Sequence, residues 1–420
     1  MAYSYREVLK EPYTLRLFGA ALLGRLSFAM GPLALVLFMR SATGSFALAG
    51  AASAATALAS GLFAPVRGRL VDRHGQSRTL PPLSLSYALA LVGVLLAAGE
   101  GTAGEVIAVL LAGVAGATAP PLPASMRVLW GILVGAGPRL QTALALDSVV
   151  EDVVYTVGPL ATAGLAAAFT PAAALVAVAV LAVAGTAAFV SSPVSRGWTP
   201  PDLGARTPSW AGAVSGPGIR TLVAALAGFG AAIGILDITL VAAARQAGPA
   251  ALGGVLLALL SAGSVVGGLW YGRRAWRLRA GQRFVRIFAL LALVAAALPL
   301  ARPLSVLGVV VVAVGLLLSP LESCAYVLAA ELAPPGTLTE SGTWLNTAIN
   351  VTGAAGLAAA GALVDRAGVP ATLAAACACT AAGLLVALAG RDRLGAAPYR
   401  GRHEAGHAGT RQLRRERRML

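Results

Sequence analysis

Charge is what this sequence has least of. Asp, Glu, Lys and Arg make up 12% of its 420 residues, against about 25% in a typical soluble domain. With 58% hydrophobic residues and a mean hydropathy of +0.80, the chain has too little polar surface to cover a water-soluble globule. Lysine is nearly missing: Lys10 is the only one, so the net charge of +15 is carried by arginine. Asparagine is as scarce, with Asn346 and Asn350 alone. That scarcity, beside abundant Ala, Gly and Arg, points to a GC-rich bacterial genome. The three cysteines, Cys324, Cys377 and Cys379, all fall in apolar runs with no histidine near them. This excludes a disulfide framework and zinc-type spacing, and leaves buried thiols. The three histidines, His74, His403 and His407, all lie outside the apolar runs, so no metal or imidazole chemistry is expected inside them and no cofactor is expected. The polar start, Met1 to Arg16, followed by a long apolar run, does not have the form of a cleavable leader.

What is present is apolar runs. Twelve are read at 15–39, 46–66, 80–98, 103–124, 144–169, 171–190, 220–243, 250–271, 284–300, 304–330, 341–364 and 371–389. Most approach the ~20 residues that cross a bilayer as a helix. The expected class is an all-α polytopic membrane protein of twelve helices around a central cavity. The longest polar interruption, Ser191 to Gly218, carries five prolines and reads as a linker. It divides the chain into a six-helix half at 1–190, a linker at 191–218 and a second six-helix half at 219–389. A basic, disordered tail follows at 390–420. Gly158-Pro159-Leu160-Ala161-Thr162-Ala163-Gly164 and the run from Gly353 to Gly361 hint at duplication.

Arginine placement sets the expected orientation. With the N-terminus in the cytoplasm, 27 of the 32 basic residues fall on the inner side, four fall outside, and Arg25 lies within a span. Both termini are then cytoplasmic, in a multi-pass protein of the cytoplasmic membrane. The basic loops and tail are expected to touch anionic lipid headgroups. No folded basic module surrounds the tail, so nucleic acid is not an expected partner.

The most distinctive motif joins the second and third runs on that inner side: Gly68-Arg69-Leu70-Val71-Asp72-Arg73-His74-Gly75-Gln76-Ser77-Arg78. Gly68 permits close helix packing. Asp72 can pair with an arginine or with a helix N-terminus across the two halves. Gly75 permits a tight turn. In this position the loop resembles the signature of the major facilitator superfamily, roughly Gly-x-x-x-Asp-Arg-x-Gly-x-x-Arg, with Gly68, Asp72, Arg73, Gly75 and Arg78 filling the main positions. The resemblance implies a loop that latches one access state and breaks when the halves rock. Its counterpart in the second half, Gly268 to Arg274, has Gly272 where the Asp would stand. Two patterns of the family's drug–proton antiporters are incomplete. The fourth run, 103–124, holds no arginine, and Arg127 is read as lying beyond it. The fifth keeps Gly158 and Pro159, a helix-bend and packing pair, but has Thr162 and Ala163 where glycines are usual.

Polar residues inside the runs are few and therefore informative. Arg25 is expected ~15 Å from the inner end of its span. Asp147 and Glu151 share a face of the fifth span at ~5 and ~10 Å. An ion pair from Arg25 to Asp147 or to Glu151 is expected near the cavity floor. Tyr155, Asn346 and Asn350 are candidate cavity residues, and Glu340 is expected to pair with arginines after the eighth span.

The resemblance implies a secondary transporter of a small molecule. The apolar cavity leans toward efflux of a drug-like or secondary-metabolite substrate; exchange for protons is implied by the family resemblance alone. Nutrient import by the same fold stays open, as does a non-transporting sensor or scaffold. A membrane enzyme would need a compact catalytic cluster at one face, and the residues for one are missing.

Overall fold

The computed structural model describes residues 4–135, 137–199, 212–247, 251–274, 276–301 and 303–395. The middle of the linker and the basic tail from 396 onward, for which a flexible link and a lipid-touching end were expected, lie outside these residues. The described residues are almost entirely helical. In order they form α1 (Tyr5–Leu9), α2 (Thr14–Thr43), α3 (Phe46–His74), α4 (Gln76–Ala97), α5 (Gly101–Thr118), α6 (Leu122–Val134), α7 (Pro138–Ala168), α8 (Pro171–Val190), α9 (Pro193–Arg196), α10 (Pro217–Ala247), α11 (Ala251–Arg273), α12 (Ala280–Ala295), α13 (Leu304–Leu332), α14 (Leu338–Ala389) and α15 (Arg391–Leu394).

Local chemistry accounts for the boundaries. Ser45 caps α3 through the Leu48 amide, and Thr170 caps α8 through the Ala173 amide, with Pro171 in the first turn. Gly75 has φ +88°, a conformation that lets α3 turn into α4 within one residue. Pro120 and Pro121 end α5, but the chain resumes as α6 along the same path, so Gly101–Val134 is one broken span of 34 residues. The fourth span is therefore longer than its apolar run. Arg127, expected in a loop beyond it, sits inside it.

Among the described residues, eleven helical stretches are long and apolar enough to cross a membrane. One of them, α14, is 52 residues long and bent at Gly368, where φ is +78° and ψ 174°. Its two arms run in opposite senses along α10. Gly230 packs on Ile349 and Gly234 on Gly353, whereas Gly228 packs on Cys379 and Ala225 on Gly383. The reversal falls where the sequence divides the last two apolar runs.

Close helix crossings repeat in the two halves. Gly158 of α7 packs on Ala29 of α2, as Gly353 of α14 packs on Gly230 of α10. Gly116 of α5 meets the Thr56 backbone of α3, as Gly267 of α11 meets that of Leu316 in α13. Gly185 of α8 meets Gly24 of α2, as Gly383 meets α10. Small residues let helices approach closely where lipid offers no hydrophobic drive between them. The Gly158–Gly353 similarity seen in sequence thus marks equivalent crossings.

The halves share a core at one end only. A single buried cluster joins Leu17, Leu129 and Leu144 of the first half to Tyr271, Phe284, Leu328 and Leu345 of the second at the end where the arginines concentrate, and within the second half alone it runs on to Leu240, Leu256 and Leu307. Toward the opposite end, one cluster draws on the first half alone, from Met30 to Ala182, and a small one on the second, around Ile235, Ala360 and Ala376.

At Gly228, an added Cβ would sit 2.6 Å from the Cys379 carbonyl and 2.8 Å from the Gly383 amide, whereas at Gly164 it meets nothing within 4 Å. Gly228→Ala is therefore expected to cost about 1–3 kcal/mol by overpacking and Gly164→Ala almost nothing, read as apparent melting temperatures in detergent.

Candidate functional site

Two layers of polar residues join the halves. The first is at the basic end. Helix α14 begins at Leu338 with no capping side chain of its own; Thr337 makes no side-chain cap bond. The cap comes from the other half. Asp72, 4% exposed at the end of α3, accepts hydrogen bonds from the backbone amides of Thr339 (3.0 Å) and Glu340 (2.8 Å). A carboxylate there satisfies two orphan amides and faces the positive end of the helix dipole. Gly68 makes the approach possible: a Cβ on it would stand 2.6 Å from Thr343 Oγ1 and 2.8 Å from Glu340 Cα. Arg69, one residue on, donates to both carboxylate oxygens of Glu340, at 2.8 and 3.3 Å.

This layer corrects one expectation. The buried Glu340 pairs with Arg69 of the signature loop, not with arginines after α11, because α14 starts directly above the end of α3. The roles within the loop also separate. Arg73 and Arg78 are exposed and make no ion pair among the described residues, whereas Arg67 is buried and donates to the Gly116 carbonyl (2.7 Å) and the Ser60 carbonyl (2.8 Å).

The second layer lies in mid-bundle. Helix α7 starts at Pro138, six residues before its apolar run, so Asp147 sits ~14 Å along it rather than near the mouth. That depth matches Arg25, whose Nη2 lies 2.8 Å from Asp147 Oδ1. Of the two pairings open to Arg25, this is the one formed. Asp147, fully buried, also accepts from Arg127 Nε (3.0 Å) and Trp130 Nε1 (3.1 Å). Glu151 pairs with Arg127. The order Arg25, Asp147, Arg127, Glu151 alternates in charge, so each buried ion has an opposite neighbour. Two donors of Arg25, Nε and Nη1, have no hydrogen-bond partner among the described residues.

Arg127 carries this layer across to the second half. Its guanidinium stacks over the Tyr326 ring of α13, 3.6 Å from the centroid, and Nη1 is 3.4 Å from Asn346 Oδ1 on α14. The Tyr326 hydroxyl donates to the same Asn346 oxygen. Asn350, one turn further, is exposed, as is Tyr155 one turn beyond Glu151. Beside them, Asp152 accepts from Ser264 of α11 (2.7 Å), and Glu322 of α13 lies within electrostatic reach of Arg127, Glu151 and Asp152. Gly158 and Pro159 take no part in the polar layer; Gly158 serves the crossing with α2.

Arg127 and Tyr326 were missed from sequence. The fourth apolar run was ended at residue 124, three residues short of Arg127, and nothing in the local pattern around Tyr326 marks it as a stacking partner. The retrievable signal was the apolar run Val128 to Val134, which continues the span beyond the prolines.

Two bundles of helices, joined at one end and through a charged middle layer, define a polytopic carrier. The sequence matches the Major Facilitator Superfamily over residues 17–357. The chain belongs to that superfamily. No curated protein matches it. Its fold resembles that of FucP, a major facilitator superfamily transporter in the outward conformation (TM-score 0.71, 14% identity, 91% of this chain and 99% of that one). A bacterial homologue of the iron transporter ferroportin in the outward-facing state gives TM-score 0.67 at 14% identity, covering 89% and 98%. The human organic anion transporter MFSD10 gives 0.67 at 17% identity, with the same coverage. At these identities the likeness is one of fold.

Asp147→Asn leaves two buried guanidiniums short of a counter-charge and is expected to cost about 3–5 kcal/mol. Asp152→Asn, with no cationic partner among the described residues, is expected to cost far less. Thermal unfolding of the two purified variants checks the difference.

Proposed function

We propose that the protein is a secondary transporter that moves a small molecule across the cytoplasmic membrane by alternating access, with its basic end in the cytoplasm. The observation that carries this reading is that α14 takes its N-terminal cap from the other half. A fixed scaffold gains nothing from dividing a cap between two bodies. Two halves that separate there must break the two amide bonds and the Arg69–Glu340 pair together, which makes the junction a latch. The shared core at the same end, and separate cores toward the other, support a state closed inside and open outside.

The substrate path runs past Glu151, Asp152, Tyr155, Glu322 and Asn350, all partly or fully exposed. Mostly apolar walls with a few carboxylates suit a small amphipathic compound, drug-like or a secondary metabolite, leaving the cell in exchange for protons. Asp152 and Glu322 belong to opposite halves and form no ion pair among the described residues, although Arg127 is within electrostatic reach of Glu322, so they are the groups best placed to take up and release a proton. The alternative is import of a metabolite, which the exposed Asn350 amide beside Asn346 favours as a hydrogen-bonding surface for a polar cargo.

Proteoliposomes with an imposed proton gradient test both readings. Efflux coupled to protons predicts uptake into inside-out vesicles driven by an acidic interior, and Glu322→Gln is expected to abolish the gradient dependence while leaving the protein folded. Flux indifferent to the gradient removes the coupling; flux in the opposite sense selects import. Separately, Asp72→Asn loses a charge-assisted cap and is expected to slow transport about tenfold. Unchanged transport would reduce the motif to a basic loop.

A further inference from the structure

The second half lacks the aspartate of the first, because Gly272 stands where it would fall. The structure shows what stands in for it. The carbonyls at the C-terminus of α11 face the first half, and a helix C-terminus leaves its last carbonyls without intrahelical partners. Side chains of the first half donate to them, the Tyr271 carbonyl being shared with the Arg274 amide and Trp276 Nε1 of the second half. Thr142 Oγ1 donates to the Gly272 carbonyl (2.7 Å). Gln141 Nε2 donates to the carbonyls of Tyr271 (3.2 Å) and Arg274 (3.1 Å), and its Oε1 accepts from Arg283 Nη1 (2.7 Å), which fixes the amide's orientation. From α1, the Tyr5 hydroxyl adds bonds just before these last carbonyls, to those of Leu269 (2.7 Å) and Gly268 (3.2 Å).

Gly272 is part of the same arrangement. A Cβ on it would stand 2.6 Å from Ala145 Cβ and collide with the Tyr5 hydroxyl. Val8, on the same short helix, is buried at 2% exposure, so α1 is seated and not merely adjacent. Burial, opposed in part by Arg273, pushes the Tyr5 hydroxyl up to about 12, so it remains a donor throughout the physiological range.

We infer that the bundle is closed at its basic end by two latches of opposite polarity, and that the N-terminal helix is the strap of the second. In the first latch, a carboxylate of the first half grips the N-terminus of α14. In the second, hydroxyl and amide donors of the first half grip the C-terminus of α11, with Tyr5 adding a contact from outside the bundle. The glycine at position 272 is then not a decayed signature but the opening through which α1 reaches the helix. The strap biases the protein toward the state open at the opposite end. This rests on the alternating-access reading above.

Hydrogen–deuterium exchange on the full-length protein in lipid nanodiscs tests it, using Tyr5→Phe, Gln141→Leu and, as reference, Asp72→Asn. Tyr5→Phe removes one hydroxyl and keeps the ring. Exchange is expected to rise about fivefold, the worth of one hydrogen bond, in peptides covering 138–150, 268–274 and 338–347, and to fall at the opposite end in 46–56 and 251–260. A change confined to residues 4–9 would overturn the strap while leaving alternating access intact, provided Asp72→Asn produces the reciprocal pattern. If Asp72→Asn also fails to produce it, the alternating-access reading itself falls. Gln141→Leu guards against a silent Tyr5→Phe. The same reciprocal pattern from Gln141→Leu, with none from Tyr5→Phe, keeps the second latch and removes α1 from it.

Discussion

The constraint on which the rest depends is a helix that cannot cap itself. The start of α14 is buried against the other half, where water cannot satisfy its first amides, and Thr337 offers them no side-chain oxygen. Asp72 supplies the cap. For that carboxylate to reach, α3 and α14 must touch backbone to backbone, which requires a glycine at position 68. For the contact to tolerate the charge, the negative group must meet the positive end of a helix dipole. The Arg69–Glu340 pair then follows from the geometry, since Glu340 occupies the turn that Asp72 caps. One residue type at one position thus sets a helix start, a close crossing and an ion pair, and all three belong to both halves at once.

The middle layer obeys the same economy in a different currency. Two arginines and two carboxylates alternate from α2 through α7 to α6, and only the last arginine reaches across. Arg127 meets the second half through a stacked ring and an amide rather than through a second carboxylate. Such contacts are weaker and more reversible than a buried ion pair. The first half is thereby held rigid by charge, while the bond between halves is of a kind that can part and re-form. Asp152 and Glu322 stand beside this layer without taking part in its pairing.

Much of this was legible in the sequence, and the limits have physical causes. Hydropathy marks the spans because backbone hydrogen bonds must close within a helix in lipid. The signature loop was readable because its glycines and aspartate have fixed spacing along one chain segment. Depth brought Arg25 to the level of Asp147 and Glu151 but left the choice between them open, because the start of α7 was placed six residues late; the contact formed is with Asp147. What could not be read were contacts between segments far apart in sequence whose chemistry is unremarkable locally. Glu340 was assigned to the wrong arginines because nothing near it says which helix end lies below. Arg127 was set outside its span because the fourth apolar run was ended at residue 124, whereas the helix resumes as α6 and carries the span on to Val134. Tyr5 carried no signal, since a tyrosine near an N-terminus is ordinary until the carbonyls of α11 are seen above it.

The central claim is that capping across the halves at the basic end holds the opposite end open. Inter-half distances measured by electron spin resonance address it most directly. One label pair joins the exposed positions 73 and 220 at the basic end; the other joins positions 100 and 300 at the opposite end. The account predicts that replacing Asp72 with Asn lengthens the first distance and shortens the second in the same sample. Two distances that stay fixed, or that lengthen together as a loosened fold would, contradict it.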